Sequence, residues 1–178
     1  MTVKTKNLIR RDVLRIAGWL AAGVTVQKIS AALPGEKFAD DVAILNVALG
    51  LEHQAIAAYD AGANSKLLSP DQVKIALSFQ RDHKRHRDAL IKYILRFGGT
   101  PVEPKSKYDF GAIASAADIV KLAQGLEAGA EAAYLANAYK LQSAEVLNAA
   151  VPILADEVRH NTVLQQLLSM DVTAPLKY

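Results

Sequence analysis

The 178-residue chain contains no cysteine, which excludes disulfides, thiolate metal sites and thiol catalysis. Any metal centre must therefore be built from histidine and carboxylate. Aromatic residues make up only 6% of the chain, and β-branched residues are sparse beside alanine and leucine, a balance that argues against a β-rich fold and for helices. The charge excess is small, +3, and the basic residues are spread along the chain. No basic patch interleaved with aromatics is present, so nucleic acid is not an expected partner. No apolar run near the N-terminus approaches the ~20 residues of a spanning helix. With half its residues apolar, the chain is long enough for one domain with a substantial core.

What is present begins with "RRDVLR" at residues 10–15, followed by "IAGWLAAGVTV" and "SAALPGE". Paired arginines, a mild apolar stretch and small residues around Ala31 and Ala32 resemble a twin-arginine export signal, from which Asp12 and Lys28 depart. Residues 1–35 are thus expected to be a twin-arginine-type signal or a retained N-terminal anchor helix. The first alternative implies a periplasmic protein, the second membrane association through residues 8–33.

Residues 36–178 read as one all-α domain of four long helices. The first spans about Asp40 to Ala63. The second starts at "SPDQ", where Ser69 is an N-cap, Pro70 suits the first helical position and Gln72 completes a capping box; it stops before Gly98 and Gly99. The third runs from near Ser115 to near Leu141, and the fourth from about Ser143 to Leu168, with a kink or broken turn expected at Pro152. The first and third connections are short, which makes their flanking helices antiparallel. The middle one, "GGTPVEPKSKYDFGAIA", has 17 residues. Extended, it reaches ~56 Å, more than the ~39 Å of a 26-residue helix. It can run the length of a bundle and leave the second and third helices parallel.

An internal repeat supports this organisation. "GLEHQAIAAYDAGA" from Gly50 and "GLEAGAEAAYLANA" from Gly125 agree at nine of fourteen positions, including Glu52/Glu127 and Tyr59/Tyr134. "RDHKRHRDAL" and "ADEVRHNTVL" share Asp82/Asp156, Arg85/Arg159, His86/His160 and Leu90/Leu164. The domain reads as two related hairpins about a pseudo-twofold axis, with one discordance: His83 stands where the second hairpin has Glu157.

Each helix carries an apolar stripe at spacings of three and four, and each stripe is interrupted near its middle. The interruptions are Glu52, then His83 with His86, then Glu127, then Glu157 with His160. The i,i+3 pairs point the same way. Packed as hairpins, all six groups can reach one region. An unpaired buried ion costs several kcal/mol, so such a set demands neutralisation, and metal cations held by carboxylate and imidazole supply it. Glu131, one turn beyond Glu127, is a further candidate ligand; Asp82 points about 100° away from His83. His53, off the stripe, is expected to be structural or to support a ligand. Tyr59 and Tyr134 are expected to line the core.

At these positions the chain resembles the ferritin-like di-metal carboxylate superfamily, with its rubrerythrin and bacterioferritin branches: a four-helix bundle with one long crossover between helices two and three. That site takes one Glu from each of two helices and Glu-x-x-His from each of the other two. Glu52 and Glu127 match the single glutamates, "EVRH" matches a complete motif, and "HKRH" matches the other with His83 in place of glutamate. The resemblance covers about residues 40–168. It implies iron, as two ions or as one ion with a weakly held second, with manganese or zinc fitting the same ligands. It further implies iron oxidation, peroxide reduction or a related oxidase activity, with an external electron donor because rubredoxin-type cysteines are missing. A homo-oligomer, and a non-catalytic role as a structural or accessory subunit of a larger envelope complex, are the other expectations.

Overall fold

A computed structural model describes residues 38–170 and 172; the expected signal or anchor lies outside the described residues. The described residues form four helices: α1 (Ala39–Asn64), α2 (Pro70–Arg96), α3 (Ala116–Ala138) and α4 (Ala144–Leu167). No strand occurs among the described residues.

The starts of α2, α3 and α4 are set by serine caps. Ser69 forms the full capping box: its hydroxyl accepts from Gln72 N at 3.3 Å while Gln72 Oε1 accepts from Ser69 N at 2.9 Å. Ser115 and Ser143 accept from Asp118 N and Val146 N. α2 ends where Gly98 adopts φ 76°, which lets Gly99 N bond back to Ile94 O. A side chain on Gly99 would collide with Val42, so the α2 exit packs directly on the start of α1.

Three contacts fix the helix directions. The α2 exit meets the α1 start, where Phe97 packs on Phe38 with ring centroids 4.9 Å apart and planes tilted by 43°. The α3 start meets the α1 end, where a Cβ on Gly62 would come within 2.9 Å of Ile119. The α3–α4 turn returns to the α1 start, where buried Asp41 accepts from Gln142 N and Ser143 N at 2.8 and 2.9 Å. α2 and α3 therefore run parallel to each other and antiparallel to α1 and α4. The crossover between them follows α1, held by Asn46, which donates to Thr100 O and accepts from Val102 N, and by His53 Nε2, 3.1 Å from Val102 O. This is the ferritin-like connectivity expected from linker length.

Two details differ from expectation. α3 ends at Ala138 rather than near Leu141, because tight turns from Lys140 N to Asn137 O and from Leu141 N to Ala138 O return the chain so that Leu141 packs on the core and Asp41 can reach the next two amides. α4 is not broken at Pro152. The carbonyl deprived of its partner belongs to Asn148, which is exposed, so water can satisfy it.

The core is split into two apolar layers. One contains Leu45, Leu49, Leu90, Ile94, Val146 and Ile153; the other Ala55, Phe79, Val120, Ala123 and Leu164. The six polar interruptions lie between these layers along every helix.

Candidate metal centre

The structure brings Glu52, His83, His86, Glu127, Glu157 and His160 together, each no more than 6% exposed. They form two overlapping sets, Glu52–His83–His86–Glu157 and His83–Glu127–Glu157–His160, each offering four ligand atoms within 4.8 Å of one another. His83 and Glu157, the two residues that correspond in the repeat, belong to both. Glu131 joins neither set: its Oε2 accepts from Asn161 Nδ2 at 2.8 Å, which turns this buried carboxylate toward α4's flank.

His83 occupies the middle. Its Nδ1 lies 2.8 Å from Glu52 Oε2 and its Nε2 lies 3.1 Å from Glu127 Oε1, and the ring stacks on Tyr59 at 5.4 Å. Two ionised carboxylates on two ring nitrogens require two N–H groups, the form only an imidazolium has. The tyrosines cross the bundle: Tyr59 of α1 donates to Glu127 of α3, and Tyr134 of α3 donates to Glu52 of α1 at 3.3 Å.

Around this set stands a second ring of charge that sequence reasoning did not assign. His160 Nε2 lies 3.2 Å from Asp82 Oδ2, and His86 Nε2 lies 3.1 Å from Asp156 Oδ2. Each aspartate is thereby placed on the outer nitrogen of the histidine from the opposite hairpin and leaves that histidine's Nδ1 facing inward. A carboxylate in this place fixes the ring's tautomer and orientation and raises its basicity as a ligand. Arg159 bridges both aspartates, at 3.0 Å from Asp82 and 2.9 Å from Asp156, and Arg85 also pairs with Asp82. The signal was in the repeat, where Asp82/Asp156 and Arg85/Arg159 coincide. Asp82 points away from His83, as helix geometry demands, and for that reason reaches His160.

In the ion-free state the pKa values separate sharply. Burial disfavours the charged form of every group, but the carboxylates of Glu127 and Glu52 outweigh it at His83 and hold that imidazole well above its usual value. Burial depresses His86 less than Glu157 and Glu52 raise it, to about 10. Glu52 is pushed up by burial yet ends lowered, because His83 and His86 bond to it; Glu127 is likewise held below the carboxylate range by His160 and His83. Glu157 follows burial and its repulsion from Glu127 and Glu52, rising to about 9 despite His86. His160 is lowered, chiefly by burial. Two carboxylates thus face two imidazoliums while Glu157 and His160 stay neutral.

The donors nevertheless fit a metal. Among the described residues, the buried side-chain nitrogens and oxygens without a hydrogen-bond partner are His86 Nδ1, His160 Nδ1, Glu127 Oε2 and both oxygens of Glu157. All belong to this centre. Leaving such an atom unsatisfied costs ~1–3 kcal/mol, and a concentration of them at one point has the chemistry of a cation site. Mixed imidazole and carboxylate donors suit first-row divalent metals such as iron, manganese and zinc.

A family described as "Ferritin-like domain" matches residues 40–170. The chain belongs to this ferritin-like family. The match spans all four helices and all six centre residues. A similar solved structure is that of a conserved hypothetical protein, rv2844, from Mycobacterium tuberculosis: 25% identical, TM-score 0.67, covering 71% of this chain and 96% of that one. No curated protein matches this ferritin-like chain.

Proposed function

We propose that this ferritin-like chain is an iron-binding protein with a redox, peroxide-related or iron-handling role outside the cytoplasm. The observation that carries the reading is the gathering of every unpartnered buried polar side-chain atom of the described residues into one centre. Glu52, His83 and His86 on one side, and Glu127, Glu157 and His160 on the other, are the residues that would hold one or two ions. Bound iron would supply electron exchange with dioxygen or peroxide at open positions. The remaining work falls to the chain itself. Asp82 and Asp156 fix the histidine rings, Tyr59 and Tyr134 steady Glu127 and Glu52, and Phe79, stacked on His160 at 3.9 Å, closes the centre against water. Electrons must come from an external donor, since the chain has no cysteine for a rubredoxin-type site. The twin-arginine-like residues 10–15 support export of the folded protein, or its attachment to a membrane if the segment is retained. A homo-oligomer is part of the same proposal.

Elemental analysis of protein purified from its own cells, followed by anaerobic ferrous loading and exposure to peroxide, tests this reading. Stoichiometric iron that oxidises on peroxide addition is expected; absence of any transition metal after loading refutes it.

One observation favours a second reading, a non-catalytic structural or accessory subunit of an envelope complex. His83 placed between Glu52 and Glu127 balances the buried charge without a metal. A stable metal-free protein, unaffected in assembly by His86→Ala with Glu157→Ala, would support this reading against the first.

A further inference from the structure

The two donor sets share Glu157 and His83, and these two side chains are not equivalent as shared ligands. A carboxylate has two oxygens with free lone pairs and can hold two cations at once. A neutral imidazole has a single lone pair in the ring plane; its other nitrogen carries a proton and can only donate. His83 can therefore complete one set at a time. Whichever set it leaves receives an N–H instead of a ligand.

The surroundings of His83 select which. Its shorter bond, 2.8 Å, joins Nδ1 to Glu52 Oε2, and the longer, 3.1 Å, joins Nε2 to Glu127 Oε1. Keeping the shorter bond leaves Nε2 free to ligate. Both oxygens of Glu52 are engaged, Oε2 by His83 and Oε1 by the Tyr134 hydroxyl. Glu127, in contrast, keeps Oε2 without a partner; His86 and His160 each keep Nδ1 without one, with Nε2 on Asp156 and Asp82, so it is the two glutamates that distinguish the sets. Glu127 Oε1 lies 3.1 Å from the nitrogen that His83 can spare and 3.6 Å from His160 Nδ1, and Glu157 completes this set of four.

We infer that the chain binds one divalent first-row metal cation, held by His83 Nε2, Glu127, Glu157 and His160, with Glu52 serving as the acceptor that fixes the His83 ring. The inference rests on the metal-binding reading above and specifies it. The His83 side chain, in the place of a second bridging carboxylate, makes the Glu52–His86 position unable to fill at the same time.

Equilibrium dialysis against ferrous iron under anaerobic conditions, with iron and protein quantified, tests this on the whole chain. Wild type should hold a single iron per chain, and Glu52→Gln, which keeps an amide oxygen able to accept from His83 Nδ1, should weaken binding by no more than the ~10–100-fold typical of losing a supporting group. Glu127→Gln should weaken binding by about 100-fold or more, beyond the ~10–100-fold typical of losing a supporting group. His83→Glu should raise the count to two. Circular dichroism establishes that each variant is folded; if His83→Glu is not, the wild-type count and the contrast of Glu52→Gln with Glu127→Gln decide. Two ions in wild type, one ion in folded His83→Glu, or loss in Glu52→Gln with retention in Glu127→Gln would each overturn the inference. No iron in wild type would instead overturn the metal-binding reading on which it stands.

Discussion

Glu157→Gln separates the two properties of the centre, stability and metal affinity. Glu157 is fully buried, belongs to both donor sets and, although its Oε1 lies 3.1 Å from His86 Nδ1, leaves both oxygens without a well-aligned hydrogen bond. Its carboxyl is pushed up to about 9, first by burial and then by Glu127 and Glu52, so at pH 7 the ion-free protein holds it as the neutral acid. An amide of nearly the same shape replaces one neutral group by another. The expected loss of ion-free stability is no more than ~1 kcal/mol, the net value of an ordinary hydrogen bond, or about 3 °C in melting temperature for a domain of this size. A metal, in contrast, takes Glu157 as an anion, and the amide removes that anion from both donor sets together. Affinity should fall at least about 100-fold, more than the loss of a supporting partner costs. The comparison variant is Glu127→Gln. It removes an ionised carboxylate 3.1 Å from buried His83, and breaking such a pair costs ~3–5 kcal/mol. Thermal melts of metal-free protein and calorimetric titration with ferrous iron or zinc give both numbers. Unaltered affinity in Glu157→Gln, or a melting loss as large as that of Glu127→Gln, would refute the reasoning.

Metal-free protein should lose stability as pH rises from about 5 to 10: the folded pKa values of Glu157 and His86 are raised from 4.5 to about 9 and from 6.5 to about 10, so the stability each adds is complete below its unfolded value and is lost as pH rises through the folded one. The lowered Glu52 and Glu127 act in the opposite sense, their contribution disappearing as pH falls below the usual carboxylate range; melts across pH 3–10 check both limbs, and a flat alkaline limb contradicts the assignment. Asp82→Asn, which takes the carboxylate from His160 Nε2, should weaken metal binding ~10–100-fold in titration without abolishing it. Asp41→Ala should destabilise the domain by ~2–3 kcal/mol in denaturant melts, since a buried carboxylate accepting two backbone amides at the α3–α4 turn is lost, and should leave metal stoichiometry intact.

The helices and their starts were legible because capping is local: Ser69 with Gln72, Ser115 with Asp118 and Ser143 signal their own positions. The crossover was legible from length alone, and the polar interruptions from helical periodicity. What periodicity could not supply is partner choice. Glu131 and Glu127 lie one turn apart and are both buried, yet Asn161 takes one and His83 the other. Asp82 and Asp156 are matched in the repeat, but only packing of the two hairpins shows that each serves the other's histidine. Asp41 reads as a first-turn acid of α1 and proves to hold a turn a hundred residues away. The end of α3 was missed because Leu141 keeps the apolar spacing while the backbone has already turned. Pro152 did not break α4 because its side of the helix faces water.

Elemental analysis of the wild-type chain after anaerobic loading with ferrous iron and removal of free metal tests the central claim most directly. Buried donors from four helices facing one another should retain close to one ion per chain. Protein that emerges without metal, and melts at the same temperature with and without iron in solution, would contradict the account.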